Sequence, residues 1–203
     1  MSCFFDDRLV AFVRPVRTAF FVVVIMALTA CGMGDDLMPS DSDLRARSAG
    51  TYLPGEALDA VTRQALIEDS EGGNTTLEAI LADPSDPPQA VVVYFTMWCP
   101  ICLAHTDHLY TQVLPRYASR PVRFLVVDYV SGSWQDMRAA AAANGYPGAA
   151  GLEIVRDAQG ILFERLHGAM GNVVVVDSGG VIRMNAYYHD GRGLEMVLDG
   201  LVP

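Results

Sequence analysis

The sequence contains no lysine: its 14 basic residues are all arginine, set against 24 acidic ones, for a formal net charge of -10 over 203 residues. That excludes a Schiff-base amine and the lysine of a phosphate-binding P-loop. The arginines form no basic cluster and the isoelectric point lies near 4.7. The electrostatic footprint that nucleic-acid phosphates demand is absent, so nucleic acid is not an expected partner. No uninterrupted apolar run reaches the roughly 20 residues of a membrane-spanning helix. Cysteine is scarce as well, four in all. With 51% hydrophobic and 19% charged residues, the chain is neither disordered nor collagen-like, and its length suits one domain with extensions.

Much of the apolar excess sits in residues 19–30, an apolar stretch interrupted only mildly by Thr29. It has the length of a signal-peptide core, and Arg8, Arg14 and Arg17 precede it as the basic region such signals carry. It ends in Leu28-Thr29-Ala30-Cys31. This resembles the lipobox of bacterial lipoproteins, in which cleavage exposes a cysteine that is then acylated; an uncleaved anchor helix ending in Cys31 is the alternative. The resemblance implies removal of residues 1–30 and a lipid anchor on Cys31. Each buried CH2 contributes about 0.8 kcal/mol, so two or three acyl chains hold a protein stably where one is marginal. Gly32 after the cysteine resembles the sorting signal for the outer membrane in Gram-negative cells. Residues 31–52, acidic and rich in turn formers, read as a flexible tether.

From residue 53 onward the pattern alternates. Leu58, Val61, Ala65 and Glu68 recur at helical spacing, and residues 70–74 break the run. Leu77, Ile80 and Leu81 form a short apolar patch before a proline-rich loop at residues 83–88. Residues 90–95 and 122–128 are β-branched and aromatic runs, predicted to be strands buried on both faces. Between them a helix is predicted from Pro100, with Pro115 kinking or ending it. Residues 133–144 are a second helix, with Ser133 as its cap and Gly145 as its stop. Two short elements flank the turn at residues 157–160, residues 173–177 and 181–186 form a hairpin, and a helix over residues 191–201 closes the chain. Crossover helices make the first strands parallel and the glycine turn makes the last two antiparallel, giving an α/β fold with a central mixed sheet flanked by helices.

Cleavage before Cys31 would discard Cys3, leaving Cys99 and Cys102 as the only free thiols. They belong to Trp98-Cys99-Pro100-Ile101-Cys102, at the junction of the first long strand and its helix. Cysteines three apart at a helix start suit a tight disulfide, and unpaired amides and the helix dipole favour a thiolate at the first. Cys99 is therefore the candidate nucleophile and Cys102 the buried resolving thiol. The other reading, half a zinc site, lacks a second pair of ligands at matching spacing.

These residues resemble the thioredoxin superfamily, and within it the membrane-tethered TlpA-like and ResA-like reductases. The likeness spans residues 74–203 and rests on the strand before Trp98, the Cys-X-X-Cys pair, the strand ending at Asp128, and the Val173-Val174-Val175-Val176-Asp177 run followed by Gly180-Val181-Ile182. It implies a thioredoxin-like domain over residues 53–203. Its activity would be an extracytoplasmic, lipid-anchored thiol-disulfide oxidoreductase acting on protein thiols or disulfides, as a monomer and without a cofactor. Residues 148–167 look like the insertion of the TlpA-like branch. Two departures stand out. The superfamily's cis-proline before the third strand falls at about Gly171, where there is no proline, and its buried acid beside the resolving cysteine corresponds to Val93. A non-proline cis bond costs about 2.5 to 4 kcal/mol, so the 168–172 loop is expected to be trans or to use glycine freedom.

A second resemblance is to copper-handling Sco-like members, which would draw on Cys99, Cys102, His105 and His167 as soft-metal ligands. Against it, His105 and His108 are expected to be solvated on a polar helix face beside Thr106 and Asp107. A redox-inert binding module is the third reading. Tyr94, Trp98, Phe124 and Tyr129 read as core or rim, Asp128 and Asp177 as turn caps, and Tyr187, Tyr188 and His189 as a possible edge of the active face.

Overall fold

A computed structural model describes residues 52–146 and 151–202 of the chain. The expected signal segment, Cys31 and the tether up to residue 51 lie outside the described residues.

A one-turn helix α1 (Ala60–Arg63) leads into a hairpin, β1 (Leu66–Asp69) and β2 (Asn74–Thr76), and then helix α2 (Leu77–Leu81). The long helix suggested by Leu58, Val61, Ala65 and Glu68 is therefore not formed: Val61 points to solvent at 50% exposure. Residues 66–69 instead pair antiparallel with a later strand, and Glu68 meets Arg156 at 2.7 Å across that pairing. The patch of Leu77, Ile80 and Leu81 is the buried face of α2, which Thr76 caps by accepting the Ala79 amide.

Strand β3 (Ala90–Thr96) follows, then helix α3 (Pro100–His108), a π turn (Leu109–Val113), helix α4 (Leu114–Tyr117) and strand β4 (Val122–Asp128). Pro115 does not end the helix. It has no N–H to give, and its ring would strike the carbonyl four residues back. The chain adds a residue to the turn, the Leu114 amide bonds Leu109 five residues back, and the helical path runs on to Tyr117. Helix α5 (Trp134–Ala143), capped by Ser133, strand β5 (Leu152–Asp157), helix α6 (Ile161–Arg165), strands β6 (Asn172–Asp177) and β7 (Ile182–Tyr187), and helix α7 (Arg192–Leu201) complete the order. The last strand starts and ends one residue later than its sequence pattern suggests.

The seven strands form one sheet in the order β2-β1-β5-β4-β3-β6-β7. Strand β4 runs parallel to both β3 and β5, whereas β6 is antiparallel to β3 and to β7. All seven residues of β3 are buried, and the strand's period of two divides them between two cores. Ala90, Val92 and Tyr94 pack with Leu109, Val113, Leu194 and Leu198 on one face. Val91, Val93 and Phe95 pack with Ile67, Leu77, Leu125, Leu162 and Leu166 on the other. The carboxyl ends of the parallel strands β3 and β4 meet at one edge of the sheet, the usual place for a site in such folds.

Val93 is fully buried within the apolar cluster of that second face. Substituting Val93→Asp buries an unpaired carboxylate and is expected to cost about 3 kcal/mol or more at pH 7. Urea denaturation should show a smaller cost at pH 4, where the carboxyl is protonated.

Candidate active site

Strand β3 stops at Thr96, and the turn that follows is tight: Trp98 takes a left-handed φ of 60°, and its amide donates to Thr96 Oγ1 at 3.1 Å. Cys99 then occupies the N-cap of α3, where its sulfur accepts the Cys102 amide at 3.2 Å. Pro100 fits the first turn because its missing N–H would have no helical partner there. The two sulfurs lie 2.9 Å apart as free thiols. Cys99 is half-buried and Cys102 is fully buried. Burial pushes the Cys102 thiol up, and its hydrogen bond with Cys99 adds to the shift. Geometry thus divides the pair as the sequence suggested, with an accessible outer sulfur and a protected inner one.

Asp128, fully buried at the end of β4, locks the turn. Its carboxylate accepts the Trp98 indole N–H at 2.7 Å, the amides of Val130 and Ser131 at 2.9 Å each, and the Ser131 hydroxyl at 2.7 Å. The turn-capping role expected for Asp128 is present, with the indole as a partner that sequence spacing does not reveal. Asp177 caps its own turn, accepting the Gly179 and Val181 amides. The Trp98 ring packs against Tyr146, whose hydroxyl donates to Asp107 on α3. On the far side of β3, Tyr129 stacks on Phe163 at 4.6 Å with Phe95 edge-on to both. Burial pushes the Tyr129 phenol up to about 12, with the two cysteines contributing. Met97 and Val130 are the exposed apolar side chains of this edge.

The histidines depart from expectation. His105 and Thr106 turn inward: Thr106 is buried and bonds the Cys102 carbonyl at 2.8 Å, and His105 lies among Tyr94, Tyr187 and Tyr188. His105 Nδ1 is 3.1 Å from the Tyr94 hydroxyl, and His108 Nδ1 is 2.9 Å from that of Tyr188. Helical spacing alone placed these rings on a solvated face; the aromatic pair Tyr187-Tyr188, eighty residues away, supplies the surface that buries them. Tyr187 packs edge-on against the His105 ring at 5.3 Å, and its phenol is raised by burial, with the two cysteines contributing. Among the described residues, no group of three or more His, Cys, Asp or Glu side chains is placed to hold a metal. His105 and His167 do not gather with Cys99 and Cys102 into the copper set considered above.

The 168–172 loop is trans throughout, there being no cis peptide among the described residues, and Gly171 takes φ 77°. A Cβ at Gly171 would come within 2.5 Å of Tyr187 Cε2 and 3.2 Å of His105 Nδ1. The absence of a side chain there is thus matched to the ring cluster. A cavity of about 550 Å³ lined by residues including Asp69, Glu71, Arg138, Tyr146 and Ile154 lies between α5 and β5, and neither cysteine lines it.

Loss of solvation disfavours charge on His105, whose imidazole is lowered to about 4 by burial, then by His189 and His108. A base with a depressed folded value is protonated first in the unfolded chain, so this ring weakens the fold as pH falls from about 6.5 through 4. The effect is on the order of 2 kcal/mol for a half-buried ring. Denaturation at pH 7 and pH 4.5 should show His105→Asn losing less stability on acidification than the wild type. In a Trp134→Phe background, Asp128→Ala should red-shift Trp98 fluorescence and cost about 2 to 4 kcal/mol, because it leaves buried donors unpaired.

No family model and no curated protein sequence matches the chain. Solved structures do match in fold. A thioredoxin-like protein from Aeropyrum pernix aligns at a TM-score of 0.51 and 16% identity, covering 66% of this chain and 88% of that one. A cysteine-to-serine mutant of PrxQ from Xylella fastidiosa aligns at 0.55 and 15% identity, covering 73% and 97%. MTB dsbF, in its mixed oxidized and reduced forms, aligns at 0.52 and 17% identity, covering 71% and 99%. At these identities the likeness establishes the fold: a thioredoxin-like α/β domain with a central mixed sheet flanked by helices.

Proposed function

We propose that the chain is a thiol-disulfide oxidoreductase whose redox centre is the Cys99/Cys102 dithiol. The observation that carries this reading is the pair itself: two free sulfurs 2.9 Å apart at a helix start, one accessible and one buried. The Cys99 sulfur, as thiolate, attacks one sulfur of a partner's disulfide. A mixed disulfide forms and the partner's other sulfur leaves as a thiolate that takes up a proton. Cys102 then loses its proton, its sulfur attacks Cys99 Sγ, and the second partner sulfur departs. The partner gains two electrons and two protons, and the chain is left with a Cys99–Cys102 disulfide. Run backwards, the same steps oxidise a partner dithiol. With valine at position 93, the Cys102 proton leaves without a carboxylate at that position to receive it.

The partners in this reading are protein thiols or disulfides outside the cytoplasm, and the chain is held there as a monomer by acyl chains on Cys31. The support for that placement is the apolar segment of residues 19–30 ending in Leu28-Thr29-Ala30-Cys31. The finer likeness, to tethered TlpA-like and ResA-like reductases, rests on the same segment together with the Cys-X-X-Cys pair.

In an exchange assay with a disulfide-bonded protein such as insulin, Cys99→Ser is expected to lower the rate at least about 100-fold. Cys102→Ser should accumulate a mixed disulfide on Cys99 that reducing agent releases. Wild-type protein without exchange activity in either direction would overturn the reading. Cys31→Ser expressed in a bacterial host should move the chain out of the membrane fraction.

A further inference from the structure

Behind the sulfurs, four parts of the chain converge on one side chain. His105 projects from the second turn of α3, three residues after Cys102. Its Nδ1 meets the hydroxyl of Tyr94 from β3 at 3.1 Å. Its ring packs against Tyr188 at 4.9 Å and Tyr187 at 5.3 Å, both at the end of β7. Gly171, from the loop before β6, leaves open the space that the ring fills. That loop's own hydrogen bonds are internal: the Gly171 amide donates to the Phe95 carbonyl at 3.2 Å, and its carbonyl accepts the Tyr188 amide at 2.9 Å. Tyr94 in turn reaches the Cys102 carbonyl at 3.5 Å, where Thr106 also bonds at 2.8 Å.

Resting on the dithiol reading above, we propose that His105 is a positioning residue for Cys102, acting through the Tyr94 hydroxyl to hold the inner sulfur where it closes on Cys99. The chemistry of the pair requires this arrangement. Tyr94 has a single O–H and it is directed at the Cys102 carbonyl, so the imidazole, with its proton on Nδ1, donates to the Tyr94 oxygen and holds it over the first turn of α3. Burial disfavours the charged ring and raises the Tyr94 phenol, so at neutral pH the imidazole is uncharged and Tyr94 keeps the O–H that reaches the Cys102 carbonyl. The bond joins β3 to α3 at the turn that carries Cys102. A helix turn held in register keeps the two sulfurs at closing distance, and that raises the effective concentration of one thiol at the other. His105 accordingly stabilises the Cys99–Cys102 disulfide relative to the dithiol.

The test is the equilibrium of the full-length chain with glutathione redox buffers, read as the fraction of Cys99–Cys102 disulfide by mass spectrometry. His105→Leu removes the donor to Tyr94 and is expected to lower the equilibrium constant for disulfide formation about tenfold, a rise of about 30 mV for this two-electron couple. Tyr94→Phe removes the same bond from the other side and should match it. The double variant should shift no further than either single one, because both delete one interaction. His105→Asn, whose Nδ2 can donate to the Tyr94 oxygen, should restore most of the wild-type value. Shifts below twofold, additive shifts, or failure of His105→Asn to restore the value where His105→Leu lowers it would overturn the proposal. If His105→Leu does not fold, Tyr94→Phe, which keeps the ring and loses only the hydroxyl, decides by the same threshold. A wild-type chain that forms no Cys99–Cys102 disulfide in any buffer overturns the exchange reading as well, whereas a normal wild-type transition with unshifted variants overturns this inference alone.

Discussion

Everything at the candidate site depends on one short contact, the Cys102 amide donating to the sulfur of Cys99. It makes Cys99 the cap of α3, so its sulfur is part of the helix's start and not an appendage to it. For the sulfur to be there, β3 must end where it does, and β3 is fixed by burial on both faces. The left-handed turn at Trp98 and the Asp128 carboxylate that holds its indole then set the direction in which α3 leaves the sheet. The same cap buries Cys102 beneath the first turn. Accessibility of one sulfur and protection of the other are consequences of a single piece of backbone geometry.

The second constraint lies behind the helix. A thioredoxin-like sheet brings the loop before β6 against α3, and here that loop carries glycine where a proline is expected. The space is taken by rings: His105 from the helix and Tyr187 from β7 close on Gly171, and the backbone of that glycine is bonded to Phe95 and Tyr188. The loop is therefore braced from within the protein. The cluster is uncharged at neutral pH as far as His105 and Tyr94 are concerned, which suits a site whose outer rim includes Met97 and Val130.

The parts of this structure legible in the sequence are those dictated by local pattern. The unbroken runs in β3 and β4, the Ser133 cap, the stop at Gly145 and the position of Cys99 at a strand-helix junction all follow from spacing and residue type. The rest depended on distant partners. Residues 66–69 carry the spacing of a helix but sit beside β5, where pairing and the Glu68–Arg156 contact outweigh a weak helical preference. His105 and Tyr187-Tyr188 are separated by some eighty residues, and only the return of β7 brings them together. The adjacent pair of tyrosines at the end of a strand, opposite a histidine on the helix that carries the cysteine pair, was the available signal. Pro115 read as a kink or an end of the helix, because the extra residue of the π turn that carries the helix past it is invisible to a pattern with a fixed period.

The proposed division of labour makes Cys99 the reacting sulfur and keeps Cys102 in reserve. Its most direct measurement is the rate at which each thiol of the reduced, native chain is alkylated by iodoacetamide at pH 7, resolved by peptide mass spectrometry. The account expects Cys99 to be modified first and Cys102 to remain unmodified until the chain is denatured. Equal rates at the two sulfurs, or faster modification of Cys102, would contradict it.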